Sequence, residues 1–312
     1  MKKFWKKTSL FLVTAAMTVS APLMAWALEH DIVILHTNDI HCGINDNIGF
    51  AGLAQIKKDA LARTPNVALV DAGDAIQGAP IGKLSRGLAV VNIMNYLGYD
   101  FCIPGNHEFD YGMDRFLELV PLQRAGYYCA NFVYAGNNKQ VLPGYKIMQY
   151  EDTKVAFVGA STPESLTTST PTFFQNEKGK YIYSFCEDKT GNKLYKQLQK
   201  NVDKARKDGA DYVFIVGHLG MDGTTPQWSS ESVAKNTQGV DAVIDGHSHE
   251  RFTRMVKNKV GKDVLLAQTG TKLKTVGELV ITPNGKLKSQ LITESNDKDA
   301  NIARVIAQEI KP

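Results

Sequence analysis

The sequence predicts an α/β fold built around a largely parallel sheet. Three observations carry that expectation. Up to Val133, short apolar runs alternate with amphipathic stretches of helical spacing. Most of these apolar runs give way to polar or Gly-containing loops. The 312 residues are 43% hydrophobic and 22% charged, an ordinary globular composition with enough apolar material for a large core. That composition excludes disorder, collagen and coiled coil.

Each element follows in order. Ile32 to Leu35 is the first strand. Gly49 to Arg63 has helical spacing, with Leu53, Ile56, Ala60 and Leu61 on one side. Asn66 to Val70 is the second strand and stops at Asp71-Ala72-Gly73-Asp74. Leu88 to Leu97 reads as a helix, and Asp100 to Ile103 as a strand ending at Pro104-Gly105-Asn106-His107-Glu108. Met113 to Arg124 is expected to be helical, and Tyr127 to Val133 a fourth strand.

Beyond Val133 the rhythm changes. Tyr145 to Tyr150 and Lys154 to Val158 look like a hairpin. Ser161 to Lys180, rich in Thr, Ser, Pro and Gly, reads as a surface loop. Asn192 to Lys207 is a lysine-rich amphipathic helix with a solvated face. Tyr212 to Val216 and Val240 to Ile244 are buried-type strands. Val264 to Ala267, Thr275 to Ile281 and Lys286 to Ile292 are expected to be antiparallel. No linker divides the chain, so residues 28–312 are read as one domain.

Residues 1–27 stand apart. Lys2, Lys3, Lys6 and Lys7 precede an uncharged stretch from Thr8 that ends Ala25-Trp26-Ala27. This reads as a cleaved signal peptide and implies export to the periplasm or the extracellular medium; an uncleaved anchor is the alternative. Its four lysines account for the whole formal charge of +4. The remainder is neutral, with no electrostatic reason to bind nucleic acid. Cys42, Cys102, Cys129 and Cys186 permit disulfides in an exported protein. Cys102 and Cys129 lie in apolar runs, where a buried thiol serves equally well, and Cys42 is read as structural.

The chemistry gathers after the strands. Alone, a histidine there is explained by a structural hydrogen bond; five together point to a site. Asp39 and His41, two apart in an extended segment, share a side and could hold one cation. Asp74 follows a glycine that permits a sharp turn, and its carboxylate can serve two metals, whereas Asp71 suits a turn cap. Asn106 offers an amide oxygen. His107, its neighbour, points away from that metal and stays free as a proton donor, with Asp110 placed to orient it. Glu108 is expected to support the loop. His218 closes one later strand, and His247 and His249 again share a face.

Loops at one sheet edge meet in one crevice. Asp39, His41, Asp74, Asn106, His218, His247 and His249 exceed what one tetrahedral ion needs. They suit two divalent cations about 4 Å apart, and oxygen and imidazole donors fit Mn, Zn, Fe or Co.

Asp39-Ile40-His41, Gly73-Asp74, Gly105-Asn106-His107-Glu108, Gly217-His218 and Gly246-His247-Ser248-His249, in this order, resemble the calcineurin-like metallophosphoesterases. Leu35 to His41 and Gly105 to Asp110 look like the 5′-nucleotidase branch, which includes bacterial periplasmic 5′-nucleotidase/UDP-sugar hydrolase. The resemblance covers essentially all of residues 31–293. It implies a four-layer α/β/β/α sandwich. It implies one cation on Asp39, His41, Asp74 and His249, a second on Asp74, Asn106, His218 and His247, and His107 with Asp110 as catalytic dyad. Asn106 and His107 would also touch substrate.

The implied activity is phosphate release from nucleotides by metal-activated water, with His107 as general acid. Cyclic-nucleotide phosphodiesterase, UDP-sugar hydrolase or thiosulfohydrolase chemistry would use the same residues. Some relatives carry Gln in place of His249. Full-length 5′-nucleotidases also have a C-terminal domain that clamps the base, and no segment before Pro312 matches it. The resemblance therefore implies either a broad substrate range or a separate nucleotide-binding subunit.

Overall fold

Strand β1 (Ile32–Thr37) is buried along its whole length because its two faces meet two different cores. Ile32 and Ile34 enter one apolar layer, and Val33 and Leu35 enter another. A continuous apolar run of this kind belongs to a sheet covered on both sides. The computed structural model describes residues 28–221 and 225–310; the expected signal peptide over residues 1–27 lies outside the described residues.

The first sheet joins β1 to β2 (Val67–Asp71), β3 (Phe101–Cys102), β12 (Val276–Ile281) and β13 (Leu287–Ile292), in the order β13-β12-β1-β2-β3. β1, β2 and β3 run parallel, and the two late strands are antiparallel. The second sheet comprises β5 (Tyr145–Tyr150), β6 (Thr153–Ser161), β8 (Tyr212–His218), β9 (Ala242–Ile244), β10 (Arg251–Lys257) and β11 (Asp263–Thr269). Its order is β10-β11-β9-β8-β6-β5, and its four central strands are parallel.

The sheets face each other across a layer containing Ile34, Val70, Phe101, Phe157, Phe214 and Ile244. Helices α1 (Gly49–Arg63), α3 (Leu88–Leu97) and α8 (Ala300–Glu309) cover the far side of the first sheet, with the short α2 (Pro80–Ser85) against α3. Helices α6 (Asn192–Lys207) and α7 (Ser230–Asn236) cover the second. The result is the α/β/β/α sandwich.

Several expectations are corrected. Tyr127 to Val133 is not a strand of either sheet. Tyr128 donates its N–H to Cys102 O of the first sheet, and Ala130 donates to Gly159 O of the second, so the segment bridges the two. Only β4 (Val133–Tyr134) emerges from it, paired with β7 (Tyr183–Ser184). The helix expected to reach Arg124 ends as α4 (Met113–Leu119) and tightens into a 3₁₀ turn at Val120–Leu122, because Pro121 has no N–H to continue it. β11 pairs antiparallel with β10 but parallel with β9. β10 and α8 are additions to the expected elements. Ser161 to Lys180 is only in part a surface loop: residues 170–172 and 176–180 are exposed, but residues 161–166 are buried and Phe174 is fully buried among Phe109 and Phe185. All four cysteines are buried and free. No described helix is long and apolar enough to cross a membrane.

Candidate metal centre and active site

The parallel strands of both sheets deliver their following loops to one place. From the first sheet come Asp39 and His41 after β1, Asp74 after β2, and Asn106 and His107 after β3. From the second come His218 at the end of β8 and His247 and His249 after β9. The two groups are tied directly. His218 Nδ1 lies 2.7 Å from Ala72 O, and Asp39 Oδ2 accepts the His247 N–H at 2.9 Å.

Local backbone makes this convergence possible. Asp39, His41, Asp74, His247 and His249 all have positive φ, between 46° and 79°. Few non-glycine residues adopt that conformation, and it clusters at functional sites. The extended segments expected at Asp39–His41 and His247–His249 are therefore turns. Asp39 and His41 still meet, with Asp39 Oδ1 3.7 Å from His41 Nε2. His247 and His249 instead diverge. His249 Nε2 lies 3.1 Å from both Asp39 Oδ1 and His41 Nε2, whereas the His247 ring sits 5.1 Å from that of His218.

Each carboxylate spends one oxygen on the protein and turns the other inward. Asp39 Oδ2 accepts from Asn38 Nδ2 and His247 N–H, leaving Oδ1 beside His41, His218 and His249. Asp74 Oδ1 accepts the His107 N–H at 2.8 Å, leaving Oδ2 3.0 Å from His218 Nε2 and 3.9 Å from His41 Nε2. Glu108 supports the loop, as expected. It takes the N–H groups of Asp74, Ala75 and Gly105, and burial together with nearby Asp74 pushes it up to about 7. Asp71 caps its turn by accepting the Gly73 N–H.

The donor set fits divalent cations. Asp39 Oδ1, Asn106 Oδ1 and His218 Nε2 are buried without a hydrogen-bond partner among the described residues, a cost that proteins rarely leave uncompensated. The donor atoms of Asp39, His41 and His249 lie within 4.8 Å of one another, as do those of Asp39, Asp74 and His218. Two histidines have their outward nitrogens occupied: His41 Nδ1 faces Gln77 O at 3.3 Å, and His218 Nδ1 faces Ala72 O. Both thus present Nε2 to the site, the arrangement that second partners impose on metal ligands. Burial opposes a charge on His218, but Asp74 and Asp39 outweigh it and pull its pKa up to about 10. Burial also drives the Asp74 carboxyl upward, and His218 overrides that to hold it far below its ordinary range. A divalent cation replaces such a proton.

His107 is separate from this cluster. Its Nδ1 lies 2.6 Å from Asp110 Oδ2, and its ring stands 5.3 Å from that of His41. The Asp110 hydrogen bond holds the imidazole proton, raising its pKa to about 9. A cleft of about 490 Å³ opens beside this pair, lined by Gln77, Lys83, Asp110, Thr168 and Ser169 among others. Sequence reasoning missed two of the site's neighbours. Glu164 Oε2 lies 3.1 Å from His247 Nε2, and Ser169 Oγ donates to Asp110 Oδ1 at 3.2 Å. The signal was present. Thr162-Pro163-Glu164 follows a parallel strand, but the apolar run stops at Val158 whereas the strand continues to Ser161.

A two-sheet sandwich that gathers oxygen and imidazole donors at the ends of its parallel strands suits a metal-dependent hydrolase. The chain belongs to the calcineurin-like phosphoesterase family, whose model matches residues 32–251. 5′-Nucleotidases are among its relatives. It is 30% identical to human 5′-nucleotidase over 255 residues, 76% of this chain and 41% of that protein. It is 27% identical to the snake venom 5′-nucleotidase of Gloydius brevicauda over 344 residues, 96% of this chain and 55% of that one. The crystal structure of a 5′-nucleotidase precursor from Thermus thermophilus superposes with a TM-score of 0.75 at 24% identity, covering 89% of this chain and 58% of that one. The chain thus spans about half the length of these relatives.

Proposed function

We propose that the protein is an exported phosphohydrolase that uses two divalent cations to release phosphate from nucleotides. One observation carries the reading: Asp39 and Asp74 each anchor one carboxylate oxygen on a backbone N–H and turn the other toward imidazoles from both sheets. Asp39, His41, Asp74 and His249 would hold one cation, and Asp74, Asn106, His218 and His247 the other. Bound there, such a pair supplies Lewis acidity and lowers the pKa of water. The absence of a thiolate from the set suits Mn, Zn, Co or Fe.

The chain's own residues do the rest. Asn106 and His107 bind the phosphoryl group. Asp110 fixes the tautomer of His107 by accepting from Nδ1, which leaves Nε2 to deliver a proton to the leaving oxygen. The leader over residues 1–27 directs export to the periplasm or beyond. The 5′-nucleotidase relatives support nucleotides as substrates.

The test is turnover of AMP, ADP, UDP-glucose, cyclic AMP and p-nitrophenyl phosphate by the purified protein with Mn, Zn or Co. Phosphate released from AMP, abolished by chelation, is the expected result. Turnover of cyclic AMP alone, or of none, overturns the nucleotidase reading.

A further inference from the structure

We propose that the helical turn α5 (Ser165–Thr168) is a strap whose two flanking residues position the two halves of the site. Glu164 precedes the turn and Ser169 follows it. Glu164 is a positioning residue for His247, and Ser169 for Asp110. The proposal rests on the dinuclear reading given above.

The strap is firmly seated. Thr162 donates its N–H to His218 O, and Thr162 Oγ1 accepts the Glu164 N–H. Ser165 donates both its N–H and its hydroxyl to Thr162 O. Glu164 O accepts the N–H groups of Thr167 and Thr168, which closes the turn. Glu164, Ser165, Leu166 and Ser169 are all buried. Neither flanking side chain is free to drift.

Each makes one contact with the chemistry. Glu164 Oε2 faces His247 Nε2 at 3.1 Å. A carboxylate accepts, so the imidazole proton sits on Nε2 and Nδ1 keeps its lone pair for a cation. At the other end, Ser169 Oγ donates to Asp110 Oδ1 while His107 occupies Oδ2. With both oxygens engaged the carboxylate cannot rotate away from the dyad. His247 follows a strand of the second sheet and Asp110 a strand of the first. The strap therefore sets a metal ligand from one sheet and a proton donor from the other against a common backbone turn.

Calorimetric titration with Mn and two substrates test this. Glu164→Ala should weaken one of the two Mn sites by roughly 10- to 100-fold, and Glu164→Gln should recover most of that, because an amide oxygen also accepts. Ser169→Ala should bind both ions like wild type. It should slow an alkyl phosphate, whose leaving group needs a proton, and leave p-nitrophenyl phosphate unchanged; Ser169→Thr should restore the rate. Where Glu164→Ala does not fold, Glu164→Met fills the same space without an acceptor and carries the same expectation. Two wild-type-affinity sites in the Ala or Met variant overturn the role of Glu164. Equal slowing of both substrates by Ser169→Ala, or none, overturns that of Ser169. A wild-type chain that takes up fewer than two Mn ions overturns the dinuclear reading itself, and the role of Glu164 with it.

Discussion

His107 and Asp110 meet at 2.6 Å, three residues apart across a single 3₁₀ turn. The turn explains the spacing: it brings residue i+3 back over residue i. With Nδ1 committed to Asp110, His107 can act only through Nε2. His107→Asn should keep both cations and lose about 10²- to 10⁴-fold in kcat. Metal content and kcat measured on one preparation check this; lost metal would count against a purely catalytic role.

The same pair sets a pH dependence. The Asp110 hydrogen bond raises His107 to about 9, above its free value of about 6.5. A raised histidine contributes stability that is complete below about pH 6.5 and lost as pH rises through about 9. General-acid activity is lost in the same direction. The kcat profile should fall on its alkaline side at or below about pH 9, since nearby cations disfavour the imidazolium. Asp110→Asn should move that limb to lower pH, and an unmoved limb would detach it from His107.

Asp74 Oδ2 lies between His218 and His41. Asp74→Ala should therefore release both ions and abolish turnover, whereas Asn106→Ala should affect one. Metal analysis after gel filtration distinguishes them. An Asp74→Ala protein that retains two ions per chain would show that this carboxylate does not bridge.

Gly246 leaves no room for a side chain. A Cβ there would stand 2.8 Å from His218 Nδ1 and 2.9 Å from Ala72 O, between the very atoms that hydrogen-bond the two sheets. Gly246→Ala should cost about 1–3 kcal/mol by overpacking, read from urea unfolding, and should weaken Mn binding. Unchanged stability and affinity together would mean that the loop can shift without consequence.

The site is more legible in the sequence than parts of the fold. The candidate metal donors follow strand ends and are Asp, Asn or His, so Asp39, Asp74, Asn106 and His218 stand out by position and type. Strand ends are also where apolar runs stop, the strongest local signal. β10 carries no such signal: Arg251, Thr253, Arg254 and Met255 are exposed on it, so alternation is blurred. Tyr127 to Val133 reads as a strand because it is apolar, yet its burial comes from crossing between two sheets. Ser161 to Lys180 misleads for the opposite reason. Ser161, Thr162, Glu164, Ser165 and Ser169 serve internal partners, which spacing along the chain cannot reveal.

The inward-facing donors come from opposite walls of the sandwich, and the Ala72–His218 and Asp39–His247 contacts already pin those walls together. Cations seated between them would act as rivets across the seam where the two halves meet. Loading and folding then share one equilibrium: a chelator should lower the melting temperature as it silences the enzyme, and a metal-poor compartment would leave the chain both inactive and easier to unfold.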